Sequence, residues 1–149
     1  EAMRLYSPST ALFNRVALRD VVIDGTTVRK GTLVVVPVWH LHRDARSFPE
    51  PERFLPERFL PDAPPMPRGA FLPFGAGPHF CLGQHFAMVE MALVAAHVIE
   101  RFDLALAEGD ALPEPVVDLA LKPKQPLRLR FMRRALSAPS APPRTSPCA

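Results

Sequence analysis

Cysteine is nearly absent from this chain. Its 149 residues contain two, Cys81 and Cys148. A disulfide framework needs more of them at regular spacing, and a bridge from the Pro/Ala/Ser-rich end to Cys81 would gain little. Long apolar runs are lacking too, and no stretch reaches the roughly 20 residues of a membrane-spanning helix. Basic runs are missing: the net charge of +3 comes from scattered Lys and Arg, which speaks against nucleic acid as a partner. No secretory signal opens the chain, and a cytoplasmic location is expected. The first residue is Glu1 rather than Met, so an upstream segment is expected to exist, and a membrane anchor could lie within it.

What is present suits a globular protein. Apolar residues make up 48%, a normal share for one domain of ordinary size. Glu1 to Leu5 reads as the last turns of a helix, stopped at Ser7-Pro8 because proline removes a donor and restricts its predecessor. Val21 to Ile23, Asp24-Gly25 and Thr26 to Val28 form a strand, a tight turn and a strand. Thr32 to Val38 is β-branched and apolar, the pattern of a buried strand. His40 and His42 are expected to be hydrogen-bonded residues at its end rather than metal ligands.

Much of the proline, 19 residues in all, falls between Pro49 and Arg68. That segment can form neither a long helix nor a central strand. Its large apolar residues, with Phe48, Phe54 and Phe59 as anchors, predict an ordered meander rather than a linker. Leu82 to Phe102 contains no proline and only Gly83 as glycine. Leu82, Phe86, Val89 and Leu93 make one apolar stripe, and Met88, Ala92, Ala95 and Ile99 make another. The pattern predicts a long helix that needs covering on several sides. Phe102 to Leu106 is a predicted strand. Val116 to Leu121 and Pro126 to Phe131 are expected to form a hairpin around Lys122 to Gln125. Residues 135–149 read as a disordered tail.

The chemistry concentrates in Phe71 to Ala87. A single cysteine, Cys81, stands just before the long helix, bracketed by Gly77 and Gly83, with Phe74 upstream. Gly77 permits a backbone turn barred to residues with a Cβ. Gly83 lets a flat ligand approach the helix start. Free N–H groups at a helix N-terminus favour an anionic sulfur and can tune a metal bound to it. Two other readings exist. Zinc could use His79, Cys81 and His85, but no fourth ligand follows at finger-like spacing. A plain core cysteine leaves Phe74 and both glycines without a reason.

The loop resembles the cysteine-loop signature of the cytochrome P-450 family, Phe-x-x-Gly-x-Arg-x-Cys-x-Gly. Phe74, Gly77, Cys81 and Gly83 are in register, a match expected by chance on the order of once in a million windows. His79 stands at the family's arginine. Further matches follow in order: Glu1 and Arg4 as Glu-x-x-Arg, Arg15 before the hairpin, Trp39 to Asp44, and Phe54 to Phe59 as Phe-x-Pro-Glu-Arg-Phe. Gln84, Phe86, Ala87 and Glu90 match the helix beyond the cysteine.

The resemblance implies a mainly α fold with a smaller β region, of which residues 1–134 are the C-terminal part. It implies haem b (iron protoporphyrin IX) as cofactor and Cys81 as axial ligand to its iron. His79 and Arg15 would serve the propionates, with Phe74, Gly77 and Gly83 shaping the loop. Glu1, Arg4 and Arg58 would form a buried ionic triad beneath the haem, with Arg53 a rival because the meander repeats its motif. The turn Ser9, Thr10 and Ala11 and the hairpin tip Leu119, Ala120 and Leu121 would line the substrate pocket. The implied reaction is monooxygenation of a small apolar organic substrate, with electrons from a ferredoxin or a flavoprotein reductase. Alternatives are peroxide-driven turnover and a truncated or decayed haem module. The distal proton-delivery residues are not in this chain, so alone it is expected to be inactive.

Overall fold

The computed structural model describes residues 1–118 and 120–134, which leaves Leu119 and the predicted tail outside the described residues. The chain divides into two compact units. The first comprises Glu1–Gln84 and Pro113–Pro126; the second comprises His85–Leu112 and the chain from Leu127 onward.

In the first unit a short helix α1 (Ala2–Leu5) leads through an irregular turn to β1 (Arg15–Val16), β2 (Val21–Ile23), β3 (Thr26–Val28) and β4 (Leu33–Val34). β2 and β3 form the predicted hairpin, with Asp24 and Gly25 in the left-handed region at its tip. β1 pairs with β4, Arg15 opposite Val34. The expected strand from Thr32 to Val38 is cut short. The backbone leaves β4 after Val34, and Pro37 caps a second short helix, α2 (Val38–Leu41). Local β propensity loses here because Trp39 donates its N–H to Thr10 O at 2.9 Å, turning the chain back onto the segment after α1. His40 therefore lies within a helix and His42 at its C-cap, not at a strand end.

A meander follows, with one 3₁₀ turn at Pro56–Phe59 and another at Gly77–His79. The buried core is small: Leu5, Val38, Phe48 and Ala70, with Arg4, Ser7 and His42 as buried polar residues. Of the expected anchors, Phe48 is buried and Phe59 half-buried, whereas Phe54 is exposed. The Phe59 ring meets Phe71 edge-on at 5.0 Å. The last strands of this unit, β6 (Pro115–Val117) and β7 (Leu121–Pro123) in order along the chain, form their own hairpin with Val117 opposite Leu121, so Lys122 lies within a strand and not in the turn expected at 122–125.

The second unit holds most of the long helix α3 (Gln84–Arg101), which runs directly into β5 (Phe102–Leu106). β5 pairs antiparallel with β8 (Leu129–Arg133) over five residue pairs, and Phe102 and Phe131 meet edge-on at 5.6 Å. The expected hairpin partner of β8 was the strand just before it. Pro123 and Pro126 withhold donors between the two, and the longer-range partner β5 takes the ladder instead. No residue of α3 is buried: Phe86 is 74% exposed and Leu93 66%. Among the described residues no helix is long and apolar enough to cross a membrane.

Candidate functional site

The first unit is organised around one guanidinium. Arg4 is fully buried, and every N–H of its fork has a partner. Nε and Nη2 donate to the two carboxylate oxygens of Glu1, each at 2.8 Å. Nη1 donates to His42 O and Pro51 O at 2.7 Å, and Nη2 also to Arg53 O at 3.0 Å. Glu1 Oε1 accepts the Leu55 N–H at 2.9 Å. A helix one turn long thus holds the meander at Pro51, Arg53 and Leu55 through its main chain. Burial pushes the Glu1 carboxyl up, but the hydrogen bonds from Arg4 and Leu55 and the Arg4 charge outweigh it, and the net shift is downward.

Of the two meander arginines, Arg58 is the one whose side chain approaches Glu1, with Nε 3.5 Å from Oε1. Its Nη2 donates to Glu50 O at 2.9 Å. Arg53 offers only its carbonyl, while its guanidinium pairs with Glu50 at the surface.

His42 joins this hub to the cysteine loop. Its carbonyl accepts from Arg4, and its ring Nε2 accepts the Leu72 N–H at 2.8 Å. The ring lies 5.1 Å from Phe71 and 6.5 Å from Phe48. Burial, followed by the Arg4 and Arg43 charges, lowers its pKa to about 4, although a hydrogen bond involving Arg4 opposes them. The ring is neutral when folded and takes up a proton when unfolded. Stability is therefore complete above about pH 6.5 and declines as pH falls from there to about 4. The span between these values corresponds to about 3 kcal/mol as an upper bound. Glu1, whose pKa is lowered, adds a loss of the same sign below its ordinary 4.5. In the full-length protein we expect denaturant midpoints to fall between pH 7 and 5, and His42→Phe to flatten that slope. An unchanged slope in the variant would assign the acid sensitivity elsewhere.

Beyond Leu72 the loop is closed by its own backbone: Gly75 N–H donates to Leu72 O at 3.1 Å and Cys81 N–H to Phe74 O at 3.0 Å. Gly77 has φ 68°, a conformation that side chains with a Cβ rarely adopt. A Cβ on Gly75 would touch Leu12 Cδ2 at 3.7 Å, so the loop rests on the segment after α1. A Cβ on Gly83 would meet Cys81 Sγ at 3.8 Å, an ordinary contact, so the bare backbone there answers to no clash within the described chain. Cys81 is a free, exposed thiol directly ahead of α3. His79, in the preceding 3₁₀ turn, and Arg15, on β1, are both exposed, and Arg15 Nη1 donates to Phe13 O at 2.7 Å. Phe74 is half-buried. Among the described residues no three His, Cys, Asp or Glu side chains converge.

The segment from Ser9 to Ala11 lies beside the β6–β7 hairpin in the same unit. Leu121 N–H donates to Pro8 O at 2.9 Å. Ser9 Oγ donates to Ala11 O at 2.6 Å, fixing the turn. Thr10, Ala11 and Leu121 are partly exposed and Ala120 exposed.

A sequence model of the family described as Cytochrome P450 matches residues 1–131. The chain belongs to the cytochrome P450 family. Cytochrome P450 132 of Mycobacterium tuberculosis is 42% identical over 134 residues, covering 90% of this chain and 29% of that protein. Cytochrome P450 3A40 of Oryzias latipes is 38% identical over 140 residues, covering 93% and 28%. The solved structure of retinoic acid-bound cyanobacterial CYP120A1 superposes with a TM-score of 0.83 at 37% identity, covering 89% of this chain and 30% of that one. A zebrafish cytochrome P450 with abiraterone gives 0.75 at 33% identity, covering 89% and 32%. The chain thus spans less than a third of the P450 relatives it matches.

Two contributors to this piece of P450 fold were not singled out from sequence. The sequence marks His42 only as a hydrogen-bonded histidine at a strand end. Arg43 stacks its guanidinium 3.4 Å from the Trp39 ring centre and donates to Leu5 O at 2.7 Å, tying α2 to α1. The signal for both was the Trp39 to Asp44 stretch, but which backbone groups they would reach could not be read locally.

Proposed function

We propose that this chain supplies the thiolate side of a haem-thiolate monooxygenase, with Cys81 as the axial ligand to iron. The observation that carries the proposal is the exposed Cys81 thiol in a loop closed by Phe74 and Gly77 and tied back to the Glu1–Arg4 hub. The donor set fits the group: one soft sulfur ligand, a glycine beside it without a Cβ, and the exposed donors Arg15 and His79 for carboxylates. When bound, haem b with a thiolate ligand supplies the oxygen chemistry, the sulfur pushing electron density to favour O–O cleavage. The chain's own task is to hold that sulfur, orient the macrocycle and line part of the pocket.

Phe74, Gly77 and Gly83 shape the loop in this reading, and Glu1, Arg4 and Arg58 fix the meander. Relatives solved with retinoic acid and with abiraterone support a small apolar organic substrate. Electrons would come from a ferredoxin or a flavoprotein reductase. The test is a carbon monoxide difference spectrum of the haem-loaded protein, followed by substrate oxidation with a reductase or with peroxide alone. A spectrum without the red-shifted thiolate band refutes the ligand; turnover by peroxide but not by reductase makes the enzyme a peroxygenase.

Ser9, Thr10, Ala11, Ala120 and Leu121 are the proposed pocket residues; Leu119 lies outside the described residues. Ala11→Phe is expected to change the product profile over a panel of apolar substrates while the thiolate band survives. Identical profiles would remove Ala11 from the pocket.

A further inference from the structure

We propose that His42 is a positioning residue for the cysteine loop, holding the Leu72 N–H through Nε2 and so coupling the Glu1–Arg4 hub to Cys81. The proposal rests on the reading of Cys81 as the haem ligand. Two hydrogen bonds meet on one buried residue. Arg4 Nη1 reaches the His42 carbonyl at 2.7 Å, and the His42 ring takes the Leu72 N–H at 2.8 Å. From Leu72 the path continues within the loop, through Gly75 N–H to Leu72 O and Cys81 N–H to Phe74 O.

The other ring nitrogen argues against packing as the whole reason for histidine here. With Nε2 accepting, the neutral ring carries its proton on Nδ1. Nδ1 is buried with no hydrogen-bond partner among the described residues. An unpaired buried N–H is unfavourable. Between Phe48 and Phe71, a phenylalanine would fill the same space without it. What phenylalanine cannot do is accept the Leu72 N–H. Leu72 precedes Pro73, which has no N–H of its own, so this donor is the last main-chain anchor before Phe74.

The experiment compares His42→Phe, which keeps the ring and removes the acceptor, with His42→Gln, which keeps an acceptor and loses the ring. The haem-loaded full-length protein is read by amide hydrogen exchange at Leu72 and by the share of the red-shifted carbon monoxide band. In His42→Phe, Leu72 should exchange on the order of tenfold faster, and part of the thiolate band should be lost. His42→Gln should recover both in part. If His42→Phe does not fold, His42→Leu takes its place in the comparison with His42→Gln. Unchanged Leu72 exchange in the acceptor-free variant, or a Gln variant no better than it, would mean that the ring only packs, and would overturn the proposal. A missing thiolate band in the unsubstituted protein would refute the ligand reading instead, and Leu72 exchange would still decide the His42 contact.

Discussion

Replacing Cys81 with histidine in the full-length protein is expected to abolish the red-shifted carbon monoxide band while leaving some haem bound. Cys81 is a free, exposed thiol. Its loop has a backbone that the substitution need not disturb, since the Cys81 N–H to Phe74 O bond is main chain to main chain. Histidine offers a neutral nitrogen in place of an anionic sulfur, so electron donation to the metal falls even where coordination persists. Oxygenase turnover should fall with the band. The measurement is the reduced carbon monoxide spectrum of variant and parent at equal haem content. A variant that keeps the parent's band would remove Cys81 as ligand. The remaining candidate, Cys148, lies outside the described residues.

The second large effect is expected at Arg4. Arg4→Ala would leave the Glu1 carboxylate buried with its bidentate partner gone, and the carbonyls of His42, Pro51 and Arg53 would lose their donor together. Breaking a buried pair from one side costs about 3–5 kcal/mol, because the remaining charge stays uncompensated. Arg4→Lys should recover only part of it, since one ammonium has three donors and no fork. Glu1→Ala should rank next, since it strands a guanidinium that keeps its three carbonyls. Arg58→Ala should cost less again, because its Nε lies 3.5 Å from Glu1 and is without a hydrogen bond. Arg53→Ala should cost least, for its side chain makes only a surface pair and alanine keeps the carbonyl that Arg4 uses. Haem retention and denaturant midpoints of the five variants in the full-length protein test the ranking. Arg53 proving more sensitive than Arg58 would show the register through the repeated meander to be wrong.

The chain by itself is expected neither to reach a unique folded state nor to catalyse oxygenation. Phe86, Val89 and Leu93 on α3 are more than half exposed. Faces of that kind invite association unless something covers them. A cooperative melting transition of residues 1–149, with product above a free-haem control, would refute this.

Some of this protein could be read without a structure. Phe74, Gly77, Cys81 and Gly83 announce their loop because a few adjacent positions carry the family's signature residues in register. Asp24-Gly25 announces its hairpin, since two neighbouring residues must take positive φ and few can. The apolar stripes of α3 announce a helix because 18 residues carry one period without interruption. In each case the determinant is local, so it survives in the order of the letters.

Tertiary structure decided what depends on partners far apart in the chain. Thr32 to Val38 has the letters of a strand, yet the strand ends at Val34 and Val38 opens α2, where the Trp39 N–H donates to Thr10 O. β8 pairs with β5 rather than with its neighbour, a choice between ladders that local propensity does not rank. The meander repeats Pro-Glu-Arg-Phe, and the letters favour Arg58 through the leading aromatic Phe54 while keeping Arg53 as a rival. Only folding brings the Arg58 side chain to Glu1 and turns the Arg53 carbonyl toward Arg4. His42 is the clearest case. Its sequence neighbourhood marks a histidine near the start of a meander. Its attachment to Leu72, 30 residues away, exists because the loop returns to within 2.8 Å of its ring. A buried donor and acceptor must find each other in space, and that requirement leaves no periodic trace in the sequence.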